Sequence, residues 1–396
     1  MATAVLDLEF ERLPPAITGL DRYDRALILI RLHGQPVGKT LLPVINGYIG
    51  GAGLRNALVS SIDWVFWERW LHNYLNWDEM LWRDSSLPKA TIAVCTRDRT
   101  EDLQRCLEAL IRLHDDGQEL LVVDNCPLTD ATYQLVKNYG RVRYVREVLP
   151  GLNTARNRAM HEAHHEIVAF IDDDAVPDPG WLRALLRNFD DPLVLCVTGL
   201  TMPLELETDA QEWFERYSPF GRGFRRTFFT RANLDPLKAG RAGAGANMAF
   251  RQNVLEYVGP FDEALDGGMP TCSGGDTEMF SRILMAGYNI VYDPAALNWH
   301  RHRRTWEELR RTLYGYGVGV YAIWTRSLVV KGEWRVLKIA WNWFFYYQLR
   351  AIIRSLLRRP ASIPLNLLMA ELRGSLAGPW AYFSSCRLLR TRKRKS

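Results

Sequence analysis

Between Ala90 and Asp172, short apolar runs alternate with stretches of helical period, and each run stops at polar residues. Thr91 to Cys95, Glu119 to Asp124, Val142 to Val145 and Ile167 to Ile171 are rich in β-branched residues and read as strands. Between them, Thr100 is placed to cap a helix whose Leu103, Leu107 and Leu110 share one face, and residues 129–139 and 153–163 have helical character. Such alternation predicts an α/β fold with a mostly parallel central sheet and helices on both faces. Crossovers this short place the carboxyl ends of successive strands on one rim, where open sheets of this kind bind ligands.

Three strands reach that rim in groups suited to a ligand: Thr96-Arg97-Asp98-Arg99, Asp124-Asn125 and Asp172-Asp173-Asp174. Three adjacent carboxylates repel one another unless a cation lies between them. Hard divalent ions take oxygen ligands and share them with phosphates. The triplet therefore points to a metal–diphosphate site, the alternative being a solvated acidic turn leading into Pro177-Asp178-Pro179-Gly180. At the other two ends, a carboxylate or amide can bind the N–H edge of a uracil-like base, and a hydroxyl can bind ribose. Hydrogen-bonded turn residues are the alternative.

Four further segments bear on chemistry. Pro150 to Arg158 forms a turn opening a helix with Arg156 and Arg158, able to hold a diphosphate or a base, or simply to lie on the surface. Gly243-Ala244-Gly245-Ala246-Asn247 permits close backbone approach to a ligand, with Asn247 expected to face the site. Gly274-Gly275-Asp276-Thr277-Glu278 opens a helix, so Asp276 is either its cap or a general base for an acceptor hydroxyl. In an extended segment His300 and His302 point the same way, and imidazole can complete a metal shell begun by carboxylates.

Taken in order, these motifs resemble the family-2 glycosyltransferases over residues 88–325. The residues that carry the resemblance are Val94 to Arg99, Val122 to Asn125, Ala155-Arg156-Asn157, Asp172 to Asp174, Gly259-Pro260-Phe261-Asp262-Glu263 and Gly275 to Glu278. The resemblance implies a GT-A catalytic domain with the donor nucleotide near Thr96, Asp98, Arg99, Asp124 and Arg156. It also implies a DxD motif in which Asp172 and Asp174 hold Mn²⁺ or Mg²⁺, a shell that His300 and His302 are expected to complete. Asp174 is the first choice as direct ligand, and Asp173 orients donor hydroxyls or the loop. Asp276 matches the catalytic base of an inverting transfer. The family usually has Glu where this chain has Gly275, and Tyr-Asn where it has Arg97-Asp98.

The expected donor is a UDP-, GDP- or dTDP-sugar, and the acceptor a glycan, a lipid-linked molecule or a small molecule, as in cell-envelope polysaccharide or glycolipid synthesis. Two alternatives remain: a nucleotidyltransferase of related fold, and a non-catalytic carbohydrate-binding protein. Acceptor contacts are expected in residues 204–240, where Trp213, Phe214, Tyr217, Phe220 and Phe224 lie beside Arg225 and Arg226.

Residues 1–86 read as a small accessory domain, with a strand at Ala26 to Leu32, a turn at His33-Gly34 and a tryptophan-rich helical stretch from Leu54 to Trp82. Ser85-Ser86-Leu87-Pro88 reads as a linker, and residues 87–328 as the catalytic domain. Residues 329–396 read as a basic helical extension. Within 331–396 there are 14 Lys and Arg against 2 acids, whereas the first 330 residues carry 36 against 43. Arg350, Arg354 and Arg358 recur every four residues beside Ile352, Ile353, Leu356 and Leu357, the pattern of a helix lying on anionic lipid. Arg390 to Lys395 reads as a disordered tail. No nucleic-acid module accompanies this charge, so nucleic acid is not an expected partner. The six cysteines lack metal or disulfide spacing, no secretory signal is visible, and no apolar run is long enough to span a bilayer. The expected location is the cytoplasm, at the inner face of a membrane.

Overall fold

The computed structural model describes residues 2–76, 87–359 and 362–393. Strands β1 (Thr3–Glu9), β2 (Ala16–Ile17), β3 (Arg25–Leu32), β4 (Gln35–Pro43) and β5 (Ile49–Gly50) open the chain. The β3–β4 hairpin turns at His33 and Gly34, with φ of 50° and 74°, as a two-residue hairpin loop requires. The helical stretch expected from Leu54 to Trp82 comprises two helices, α1 (Gly51–Ser60) and α2 (Trp64–Tyr74). The Asp63 carboxylate accepts from the Val65 N–H at 2.9 Å and so starts a new helix. Residues 77–86, including the rest of that stretch and Ser85-Ser86, lie outside the described residues.

This amino-terminal unit has its own core around Ile28, Ile30, Leu54, Leu58 and Phe66. Its opposite sheet face is covered: Leu27 and Leu29 pack on Leu200, Met202, Tyr292 and Leu297 of the larger sheet. The Thr3 N–H also donates to the Leu206 carbonyl at 2.8 Å.

The expected alternation follows in β6 (Ala90–Thr96), α3 (Thr100–Ile111), β7 (Glu119–Asn125), α4 (Ala131–Lys137), β8 (Val142–Glu147), α5 (Leu152–Glu162) and β9 (Ile167–Asp172). These strands lie in the order β9-β6-β7-β8, parallel throughout. The period of two splits each strand between two cores. Ile92 and Val94 pack with Leu103, Leu107 and Leu110 of α3, while Ala93 and Val123 pack with Ala155 and Ala159 of α5. At roughly 1.5–3 kcal/mol per fully buried leucine, both helical layers are held firmly to the sheet.

The sheet continues through β10 (Ala175–Pro177), α6 (Trp181–Leu186), β11 (Val194–Pro203), α7 (Asp209–Tyr217), β12 (Thr227–Phe229), β13 (Asn247–Arg251), α8 (Val254–Val258), α9 (Gly275–Met285) and β14 (Asn289–His300). The full order is β10-β14-β11-β13-β9-β6-β7-β8, with β12 on β14. β13 runs antiparallel between β9 and β11, so this half of the sheet is mixed.

The chain ends in α10 (Trp306–Lys331), α11 (Arg335–Asn342), a π-helical stretch (Trp343–Leu349), α12 (Arg350–Leu356) and α13 (Leu365–Lys393). α10 and α13 touch backbone to backbone. A Cβ on Gly374 would lie 2.0 Å from the Tyr314 carbonyl oxygen, and one on Gly317 would lie 2.2 Å from that of Glu371. Arg390 to Lys393, expected in a disordered tail, instead continue α13, and Arg392 donates to the Pro150 carbonyl at 3.1 Å. Among the described residues no helix is long and apolar enough to cross a membrane.

Candidate active site

The three aspartates sit where β9 leaves the sheet. Pairing of β10 with β14 sets Ala175 opposite His300, and the Arg301 N–H donates to the Asp174 carbonyl at 3.0 Å. This register delivers the His300 ring to the triplet: Nε2 lies 3.0 Å from Asp174 Oδ1 and 3.8 Å from Asp172 Oδ2. Asp173 accepts from Thr96 Oγ1 at 2.7 Å and from Arg99 Nη1 at 3.1 Å. The same Arg99 nitrogen reaches Asp174 Oδ2 at 3.1 Å, and Arg303 Nη1 lies 3.2 Å from that oxygen. Three carboxylates are thus faced by two guanidiniums and an imidazole.

The electrostatics divide the triplet. Burial disfavours charge on Asp174, but His300, Arg303 and Arg99 outweigh it and hold its carboxyl well below the usual range. Burial pushes Asp173 up to about 7, aided by the charge on Asp174. Burial and Asp174 also raise Asp172. Burial works against the imidazolium of His300, yet the Asp174 carboxylate raises its pKa above the ordinary histidine value.

One oxygen each from Asp172 and Asp174 and one ring nitrogen of His300 all lie within 4.8 Å of one another. Asp172 keeps 35% of its side chain exposed and faces the cleft, whereas Asp174 keeps 2%. Two carboxylate oxygens and one imidazole suit a divalent ion that retains open positions. Oxygen ligands fit both Mg²⁺ and Mn²⁺, and the imidazole favours Mn²⁺. His302 is not in this group. The strand ends at His300, so strict alternation stops there. Although the two rings are 5.6 Å apart, His302 Nε2 lies 3.3 Å from Glu215 Oε2 and its ring packs on Phe214.

Asp276 occupies the first turn of α9. Its Oδ2 accepts from the Gly245 N–H at 2.7 Å and its Oδ1 from the Thr277 N–H at 2.7 Å. The glycine loop therefore approaches a carboxylate of the protein. Asn247, expected to face a ligand, is wholly buried instead: its amide donates to the Leu200 and Ala296 carbonyls at 2.9 and 2.8 Å and accepts from Trp181 Nε1 at 2.8 Å. Gly275 also has a packing reason, because a Cβ there would lie 2.0 Å from Asn153 Nδ2. That amide holds the Asp262 and Leu265 carbonyls at 2.9 and 2.8 Å.

The helix start at Gly151 does not offer a free anion site. The buried Asp266 carboxylate fills it, accepting from the Leu152 N–H at 2.6 Å and the Asn153 N–H at 2.8 Å. Sequence reasoning missed Asp266, whose one signal is the turn Asp266-Gly267-Gly268. Arg156, by contrast, is buried without an acidic partner among the described residues. It touches Asn153 Oδ1 at 3.4 Å and the Gly245 carbonyl at 3.3 Å, and lies over the Phe261 ring.

A cleft of about 2580 Å³ collects Thr96, Arg99, Arg156, Asp172, Asp173, Asp174, Asp276, His300 and His302 on its walls. Asp98 and Asp124 stand behind it. Asp98 Oδ1 accepts from the Leu128 N–H at 2.9 Å. Asp124 is fully buried, takes the Tyr144 hydroxyl at 2.8 Å, and leaves Oδ1 without a partner. Its neighbour Asn125 is the residue that reaches the cleft, bonded to the Gly151 N–H at 2.8 Å. Arg303 completes the site beside Asp174.

Residues 91–259 match the family model described as glycosyl transferase family 2. The chain is 28% identical over 254 residues to the Pre-mycofactocin glycosyltransferase of Mycobacterium tuberculosis, covering 61% of this chain and 50% of that protein. It is 26% identical over 250 residues to Glycosyltransferase AglE of Haloferax volcanii, covering 61% and 75%. The chain thus spans about half the length of the Mycobacterium relatives. Among solved structures, mannosyltransferase PcManGT from Pyrobaculum calidifontis, in complex with GDP-Man and Mn²⁺, gives a TM-score of 0.46 at 18% identity, covering 82% of this chain and 83% of that chain. The match to glycosyl transferase family 2 thus falls on residues 91–259, the part of the chain whose sheet rim bears the aspartate triplet.

Proposed function

We propose that the protein is an inverting, metal-dependent glycosyltransferase that moves a sugar from a UDP-, GDP- or dTDP-sugar to an acceptor hydroxyl in cell-envelope glycan or glycolipid synthesis. The observation that carries this reading is one cleft containing the Asp172–Asp174–His300 group, the unpaired Arg156 and the carboxylate of Asp276. Asp172, Asp174 and His300 would hold Mn²⁺ or Mg²⁺, which when bound offsets negative charge on the leaving nucleoside diphosphate. Arg156, with no acid at ion-pair distance among the described residues, offers the diphosphate a cation. Asn125, on the cleft wall, supports a base-binding role for that strand end.

Asp276 would accept the proton of the acceptor hydroxyl as its oxygen attacks the anomeric carbon from the face opposite the diphosphate. A single base suffices, and one in-line displacement inverts the anomeric configuration. The Gly245 N–H fixes the orientation of that carboxylate, which matters because general-base efficiency depends on aim as well as on pKa. A location at the inner face of a membrane is supported by six unpaired cysteines and the basic extension.

A thermal-shift series with UDP-, GDP- and dTDP-sugars tests the reading. Bound donor stabilises the protein by about 2.7 kcal/mol at roughly a hundred times its dissociation constant. A rise in melting temperature that requires Mn²⁺ supports the proposal, and no response to any of the donors counts against it.

A further inference from the structure

Resting on the transferase reading above, we infer that the acceptor is an anionic glycolipid. Its charged head is held by Arg350 and Arg354, and its hydrocarbon stays in the membrane against which α11, the π-helical stretch and α12 lie. The far wall of the catalytic cleft is this carboxyl-terminal segment. Trp343, Tyr346 and Tyr347 line the cleft with Arg350, Arg354 and Leu357, spaced so as to form one continuous helical face. Arg350 and Arg354 are both exposed and have no acidic partner among the described residues. They provide a second cationic site in the cleft, distinct from the surroundings of Asp174.

The opposite side of the same segment is also apolar, with Trp334, Trp341 and Leu356 exposed at 70%, 64% and 62% beside Lys338 and Arg358. A helix apolar on both faces is ordinarily buried in protein or lipid. Its surplus of arginine and lysine selects an anionic bilayer surface as the occupant. The segment is pinned to the fold, since Gln348 Nε2 donates to Ser375 Oγ of α13 at 2.8 Å, and α13 is itself tied to α7 by the bond between Tyr217 and Glu371. Its α-to-π change gives it the local irregularity common at functional sites. A saccharide hydroxyl on this lipid would give its proton to Asp276 while its oxygen bonds the anomeric carbon. The bond from that carbon to the donor diphosphate breaks, and the electron pair leaves with the nucleoside diphosphate.

Dodecyl phosphate and inorganic phosphate serve as probes, followed by protein fluorescence, together with flotation on phosphatidylcholine vesicles with and without phosphatidylglycerol. Dodecyl phosphate should bind at least about tenfold more tightly than inorganic phosphate, and only the anionic vesicles should carry the protein. Arg350→Ala with Arg354→Ala should weaken dodecyl phosphate binding about thirtyfold, the equivalent of about 1 kcal/mol per arginine at a lipid surface. The Lys pair at the same positions should restore most of it, and an unchanged melting temperature shows that the fold is intact. Equal binding by wild type and the Ala pair, or no preference for the alkyl chain, overturns the inference. A wild-type protein that binds anionic vesicles but no nucleoside diphosphate in Mn²⁺ overturns the transferase reading and with it the acceptor role.

Discussion

Asp276 Oδ2 accepts a hydrogen bond from the backbone N–H of Gly245 at 2.7 Å, which joins the first turn of α9 to a glycine loop 31 residues earlier. The contact exists because position 245 has no side chain. A Cβ there would lie 2.8 Å from Asp276 Oδ2 and 2.9 Å from Arg156 Nη2. Gly245→Ala should therefore displace both groups and reduce turnover by about ten- to a hundredfold, the usual cost of a misplacement on the order of 1 Å. Melting temperature should change little, because the loop faces the cleft. Comparing turnover and melting temperature in the same preparation checks this.

Asp174 is nearly inaccessible and is faced by His300, Arg99 and Arg303. Asp174→Asn keeps the shape and removes the charge those cations share. The variant should lose its Mn²⁺-dependent melting shift and about 1–3 kcal/mol of stability, the lower part of that range reflecting the exposure of both guanidiniums to solvent. A Mn²⁺ response equal to wild type would exclude Asp174 as a ligand.

Gly275→Glu restores the residue the family usually carries, yet it should harm this protein. Any Cβ at 275 collides with Asn153 Nδ2, which would release the Asp262 and Leu265 carbonyls. A loss of about 1–3 kcal/mol for each unsatisfied buried group is expected in denaturant unfolding.

Glu215 couples the amino-terminal unit to the cleft. Its oxygens lie 2.7 Å from Lys39 Nζ and 3.3 Å from His302 Nε2. Burial opposes its charge, but His302 and Lys39 hold its carboxyl below the usual range. Burial likewise lowers His302. Both folded pKa values are depressed, so the unfolded chain binds more protons. Their contribution is complete above the ordinary histidine value of ~6.5 and declines as pH falls through it and then through the carboxylate range. Lys39→Met should lessen the carboxylate part of that decline, as read from denaturant unfolding across acid pH.

Much of the parallel half-sheet was legible because β6 to β9 carry dense local signals: apolar runs, a helix with Leu103, Leu107 and Leu110 on one face, and polar strand ends, although Thr100, expected as the cap of that helix, is its first residue and Arg99 stands at the cap position without a side-chain bond. The aspartate triplet was legible for the same reason. What escaped depends on long-range pairing. Asn247 to Phe250 follow glycines and resemble a ligand loop, yet they form β13, whose register beside Ile171 no local pattern encodes. Asp266 fills the α5 start from 114 residues away in sequence from Leu152. His302 lies outside the Asp172–Asp174–His300 group because its strand ended two residues earlier, and Asp98 and Asp124 make turn and core contacts behind the cleft.

The proposed role of Asp276 as the base beside a metal–diphosphate site is tested most directly by the Asp276→Asn variant. Nucleoside diphosphate binding in Mn²⁺ and sugar transfer are measured side by side. Binding within about twofold of wild type and transfer reduced by about 10²–10⁴-fold, the range for loss of a general base, are expected. Transfer persisting near the wild-type rate would contradict that role.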